Sequence, residues 1–149
     1  MKHKKIYLFK NKVFKEKNEP AKTVFNSLGE LKVGPAPEFN GTPGTMNPEE
    51  LFVASVNSCL MTTFFYFVRK SDIDILSYRS DAEGQVEKQA DGFRFTQMKI
   101  QAKVALKNQE LAEKVHELGN LSEKYCLVSR SVTCPVHYDI EVKISGGGL

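Results

Sequence analysis

The longest uninterrupted pattern in the chain is apolar. Residues 51–68, LFVASVNSCLMTTFFYFV, carry no charge before Arg69 and Lys70. Asn47 suits an N-cap, Pro48 suits the first helical position, and Glu50 stands where a capping-box carboxylate reaches back. These signals predict a helix over residues 47–70. Eighteen uncharged residues reach the lower limit of a membrane span. Ser55, Asn57, Ser58, Thr62 and Thr63 make the run too polar for a lone span, so no membrane is expected. The pattern fits a helix buried on all sides. A small domain rarely wraps about six helical turns alone, so a second copy of the chain is expected to complete the burial.

Downstream, the period changes to that of strands. Residues 76–88 and 93–106 flank Ala90-Asp91-Gly92, a hairpin turn sequence; the hairpin occupies residues 76–106. Phe93 and Phe95 share one face, while Met98, Ile100, Ala102, Val104 and Leu106 continue with shifted parity. That slip predicts a β-bulge near Thr96-Gln97. Helices follow over residues 108–130, with Leu111, Val115 and Leu118 on one stripe. Gly119-Asn120 is expected to end or kink the first of them, and Ser122 to cap a second over residues 123–130. Residues 136–144 alternate cleanly as a last strand, and the glycine tail at 146–148 is expected to be mobile. Upstream, apolar patches at residues 6–9, 13–14, 24–25 and 31–33 predict two or three N-terminal strands within residues 1–33. Residues 34–48, with four of the six prolines, form a loop.

Composition narrows the class. At 149 residues the chain reads as one domain, 1–149, able to bury a core without metal or disulfide staples. Net charge is +3, but residues 1–32 hold nine lysines against Glu16, Glu19 and Glu30. A lysine-rich solvated face explains this as well as a polyanionic partner does, and no nucleic acid is expected. The basic opening MKHKKIYLF has too short an apolar stretch for a signal peptide, and no small-residue cleavage site follows it. Three cysteines exclude a fully paired framework within one chain and fit a reducing cytoplasm. No phosphate-binding glycine loop or Ser-His-Asp order is present.

The cysteines are the candidate chemistry. Cys59, in mid-helix, taken alone reads first as a small buried hydrophobe. Cys126 falls in the first turns of the helix expected after Ser122, where the helix dipole favours a thiolate. NPEELFVASVNSC, followed far downstream by SEKYCLVSRSV, resembles the OsmC/Ohr family of thiol-dependent peroxidases, the OsmC branch more closely. The Pro/Gly loop, long helix, hairpin, helix pair and last strand also occur in the family's order. The likeness covers residues 34–144 well and the N-terminal strands poorly.

The resemblance implies an α+β fold in which a strongly curved antiparallel sheet packs on the long buried central helix, with two copies intertwined as a homodimer. It implies that Cys59 is the peroxidatic thiol, Cys126 the resolving thiol, and Glu49 a functional acid at the active site. The implied substrate is an organic hydroperoxide and the reductant a small or protein dithiol, with no metal, flavin or other cofactor. Leu60, Met61, Phe64 and Phe65 would favour a bulky organic hydroperoxide.

Glu49 has a plainer reading, a first-turn carboxylate that offsets the helix dipole. Ten residues of ideal helix give about 15 Å of rise and roughly 80° of rotation, so Glu49 cannot touch Cys59 of its own helix; the resemblance implies that it approaches the Cys59 of a second chain. The family's peroxidases set an arginine from the N-terminal strands or the following loop against the thiolate. No arginine precedes Arg69 here; the loop offers Glu38, Lys32 lacks the bidentate fork, and Arg130, one turn beyond Cys126, reads first as an exposed helix-end cation and second as a substitute. This departure supports an alternative: an OsmC-like dimer that binds apolar or electrophilic small molecules with little turnover. Cys134 and His137 in CPVH have ligand-like spacing, yet His137 falls on the polar face, so Cys134 reads as a strand-edge residue and no metal is expected. His3 and His116 read as a terminal and a helix-surface residue.

Overall fold

A computed structural model describes residues 4–145. His3 and the glycine tail at 146–148 lie outside the described residues. Two compact units divide the chain, Met1–Leu51 and Phe52–Leu149.

In the first unit, β1 (Lys12–Phe14), β2 (Lys22–Phe25) and β3 (Gly29–Lys32) form an antiparallel sheet in that order. Residues 6–9 form no strand; Ile6, Tyr7, Leu8 and Phe9 are exposed. The loop that follows β3 is compact. Ala36 is buried, its carbonyl accepts the Phe39 and Gly41 amides, and a Cβ on Gly41 would overlap the Pro35 carbonyl. The loop delivers the start of α1 (Pro48–Lys70), where the Glu50 amide donates to Asn47 Oδ1 at 2.8 Å. Asn47 is therefore the N-cap, as its side-chain chemistry predicts.

The second unit holds the rest of α1, the hairpin β4 (Ser77–Gln89) and β5 (Gly92–Leu106), α2 (Ala112–Tyr125), α3 (Leu127–Ser131) and β6 (Val136–Ile144). Gln85 pairs with Gln97 and Val86 with Phe95, leaving Thr96 unpaired as the bulge. The bulge reverses the parity of β5 and so turns Met98, Ile100, Ala102, Val104 and Leu106 into the core. The expectation of a wholly antiparallel sheet is corrected here. β6 runs parallel to β5, because the connection through α2 and α3 returns the chain to the end from which β5 began.

Within the single chain α1 buries one stripe, and the burial expected for its other faces falls to the second copy. Val56, Leu60, Phe64 and Val68, four residues apart, are the buried residues of α1. A three-stranded sheet and one helix cover a single stripe. Val56 and Leu60 pack with Met98, Ile100, Ala102, Cys126 and Tyr138; Phe64 and Val68 pack with Val104, Leu106, Val115 and Leu118. Ala54, Ser55, Ser58, Met61, Thr62 and Tyr66 stay exposed. By length and composition alone α1 could cross a membrane, but its apolar stripe is the core contact of this unit.

The helix pair differs from expectation as well. α2 runs unbroken through Gly119-Asn120 to Tyr125, and Ser122 lies buried inside it, donating to the Leu118 carbonyl at 2.6 Å. Gly119 is needed for space: a Cβ there would stand 2.6 Å from Ile140 Cδ1. Gly119→Ala should therefore lower stability by about 1–3 kcal/mol, since overpacking outweighs the better helix propensity. Urea unfolding checks this, and an alanine variant as stable as wild type would mean that Ile140 moves aside freely.

Candidate functional site

Cys59 sits beside the buried stripe of α1 and is half-buried. Its carbonyl accepts the hydroxyls of Thr62 at 3.0 Å and Thr63 at 2.8 Å. Cys126 joins α2 to α3. Its amide donates to the Ser122 carbonyl at 2.8 Å, and its sulfur takes the Ser129 amide at 3.5 Å as the N-cap of α3. It is fully buried. The two thiols are free, and the Cys59 thiol lies near enough to that of Cys126 to perturb it. Two cysteines distant in sequence thus meet at one edge of the Val56–Leu60 cluster.

Sequence position led to the expectation that helix α3 favours a Cys126 thiolate. The environment acts the other way. Burial pushes the Cys126 thiol up, the Ser129 hydrogen bonds pull it down, and the neighbouring Cys59 adds to the rise. The physical reason is that α3 has five residues, too short a dipole to offset complete desolvation.

The structure does not bring Glu49 into this pair. Glu49 stands in the first turn of α1, and its Oε2 is buried with no hydrogen-bond partner among the described residues. Arg130 is exposed, and among the described residues no lysine or arginine bonds either sulfur. Lys32 and Glu38 are exposed. Cys134 is half-buried and packs against the cysteine cluster, whereas His137 and His116 are exposed. Among the described residues no three His, Cys, Asp or Glu side chains converge on a metal position.

Two features escaped the sequence reading. A cavity of about 660 Å³ is lined by Thr62, Thr63, Tyr66, Phe67, Leu121 and Tyr125. Neither cysteine lines it; Thr62 lies three residues past Cys59, and Tyr125 directly precedes Cys126. The spacing of Cys59, Thr63 and Tyr66 on one helical face was legible; the approach of Tyr125 from α2 was not. The second feature is a hydrogen bond of 2.8 Å between the hydroxyls of Tyr78 and Tyr138 inside the core. Alternation marks Tyr138 as inward-facing, but nothing in the sequence pairs it with Tyr78.

The family model described as OsmC-like protein matches residues 41–141, an interval that holds Glu49, Cys59 and Cys126. Among solved structures, an OsmC-like protein of unknown function from Vibrio cholerae superposes with a TM-score of 0.79 at 18% identity, over 93% of this chain and 100% of that one. An organic hydroperoxide resistance protein OsmC from Legionella pneumophila gives a TM-score of 0.72 at 22% identity, over 95% of this chain and 100% of that one. In sequence, the uncharacterized protein YmaD of Bacillus subtilis is 23% identical over 114 residues, 74% of this chain and 76% of its own length. At these identities the solved structures establish a shared α+β fold.

Proposed function

We propose that this chain, which belongs to the OsmC-like family, is a thiol-dependent peroxidase that reduces organic hydroperoxides to alcohols. The observation that carries the reading is the pair of free thiols, Cys59 half-exposed and Cys126 buried against it. That asymmetry suits a division of labour. The Cys59 thiolate attacks the distal peroxide oxygen, the O–O bond breaks, the alkoxide leaves as alcohol, and Cys59 becomes a sulfenic acid. Cys126 then attacks the Cys59 sulfur; the S–O bond breaks, the S–S bond forms, and hydroxide takes the Cys126 proton as water. An external dithiol resets the disulfide by exchange.

The cavity lined by Thr62 and Thr63 of α1 and by Tyr125, the neighbour of Cys126, supports a bulky apolar substituent on the peroxide. Tyr66, Phe67 and Tyr125 offer aromatic surface, and Thr62 and Thr63 already direct their hydroxyls to the Cys59 carbonyl. We read residues 1–149 as one OsmC-like domain acting in the cytoplasm as an intertwined homodimer. The uncovered face of α1, with Ala54, Ser58, Met61 and Tyr66, supports a second copy packed there. Glu49, with an unpartnered buried carboxylate oxygen, would find its partner in that assembly.

The test is consumption of cumene hydroperoxide by the reduced protein with a dithiol in excess. Multiple turnovers per Cys59 are expected. A protein that consumes none yet binds the alcohol product would favour the second reading, a binder of apolar or electrophilic molecules. The observation on that side is that no cation bonds the Cys59 or Cys126 sulfur among the described residues.

A further inference from the structure

Cys126 is a joint as well as a thiol. It closes α2 and opens α3, with φ −61° and ψ 115°. On the α2 side it is anchored: its amide donates to the Ser122 carbonyl at 2.8 Å, and Ser122 is itself buried and bonded to Leu118. On the α3 side the contacts converge on Cys126. The Ser129 amide donates to its sulfur at 3.5 Å, the Ser129 hydroxyl to its carbonyl at 3.3 Å, and the Arg130 amide to the same carbonyl at 3.1 Å.

Little else holds α3. Leu127–Ser131 is five residues, far below the length at which a helix persists alone in water. None of its side chains is buried, Leu127 is 67% exposed, and Val128 packs against the apolar cluster. A helix this short leaves most of its amide protons without helical acceptors, so its N-cap decides whether the turn persists. Here the cap acceptor is a cysteine sulfur, an atom that changes covalent partners with redox state. Cys59 packs against the same apolar cluster from α1. To bond, the two sulfurs must close from non-bonded contact to about 2.05 Å. A sulfur drawn toward Cys59 leaves an amide contact that is already 3.5 Å long.

We propose that α3 is a redox-released segment: forming the Cys59–Cys126 disulfide draws the Cys126 sulfur off the Ser129 amide, the turn from Leu127 to Ser131 loosens, and the buried Cys126 side of the disulfide opens to the external dithiol. The step balances with release of water. The S–O bond of the Cys59 sulfenic acid breaks, the S–S bond forms, and the departing hydroxide takes the Cys126 proton. The dithiol then supplies the electrons and protons that return both thiols, is itself oxidised to a disulfide, and the cap re-forms. An ordered α3 thereby marks the reduced state, in which Cys126 stays fully buried. The cap stands independently of turnover, whereas its release in a catalytic cycle rests on the peroxidase reading.

Amide hydrogen exchange at Ser129 and Arg130, read by NMR, is the test. Full-length protein carrying Cys134→Ser, which leaves one possible disulfide within the chain, is compared reduced and after oxidation by diamide, with the Cys59–Cys126 link verified by peptide mass. Exchange at Ser129 and Arg130 is expected to rise about fivefold on oxidation, the size of a typical lost cap. The Cys126 amide, bonded into α2, is expected to stay unchanged. In reduced protein, Cys126→Ala should raise Ser129 exchange by a like factor, and Cys126→Ser, whose hydroxyl caps in the sulfur's place, should keep the protection. If Cys126→Ala does not fold, the redox comparison carries the test. Equal exchange in the reduced and the linked protein overturns the inference, and so does a failure of diamide to link the two cysteines. One equivalent of cumene hydroperoxide in place of diamide separates the two readings. An α3 loosened by diamide in a protein that the peroxide does not link would leave the switch standing and remove the peroxidase reading.

Discussion

Cys59→Ser is expected to abolish hydroperoxide consumption, while Cys126→Ser forms the sulfenic acid once per chain and loses sustained turnover as further peroxide overoxidises it. The difference follows from the environments of the two sulfurs. Cys59 is half-exposed, whereas Cys126 is fully buried. A serine hydroxyl at 59 cannot be oxidised by a peroxide, so nothing starts. A serine at 126 leaves a sulfenic acid without its resolving thiol, and further peroxide drives it to sulfinic acid. Stoichiometric consumption and the mass of the Cys59 peptide check both outcomes. Consumption that survives Cys59→Ser would remove that residue from the reaction. The pH dependence has a definite sign. Because burial raises the Cys126 thiol, its reactive thiolate grows about tenfold per unit as pH rises toward that raised value. Disulfide formation should accelerate over that interval, with sulfenic acid accumulating at lower pH.

The largest effect on stability is expected at Phe64. Its side chain is fully buried, the largest of the fully buried set, and it sits where α1 faces Val104, Leu106, Val115 and Leu118. Its ring also meets Phe65 at 5.6 Å and Tyr78 at 5.5 Å. Phe64→Ala removes that ring from a junction of helix and sheet, which typically costs about 3–5 kcal/mol. Chemical denaturation reads it as a lower midpoint with an unchanged slope. A loss below about 1 kcal/mol would show that the neighbours collapse into the space.

Much of the fold was legible because it rests on local rules. Asn47-Pro48-x-Glu50 announces a helix start through capping chemistry, and the Glu50 amide does bond Asn47 Oδ1. The parity slip in β5 announces a bulge, and Thr96 is the residue left unpaired. Alternation announces β6 and its inward Tyr138. Other elements were misread because non-local packing overrides propensity. Gly119-Asn120 looks like a helix end, yet it is a close approach to Ile140. Ser122 looks like an N-cap, yet it bonds Leu118 inside α2 and leaves the capping to Cys126.

By itself, then, the sequence determined the elements, the resemblance of NPEELFVASVNSC and SEKYCLVSRSV to a thiol-based family, and the absence of an arginine before Arg69. Tertiary structure alone decided that β6 lies parallel to β5, that α1 buries one stripe, and that Cys126 meets Cys59 in an environment that raises its thiol rather than lowering it. The reason is one of range. Capping, periodicity and turn chemistry act between residues a few positions apart, whereas desolvation of a sulfur depends on everything the fold packs around it.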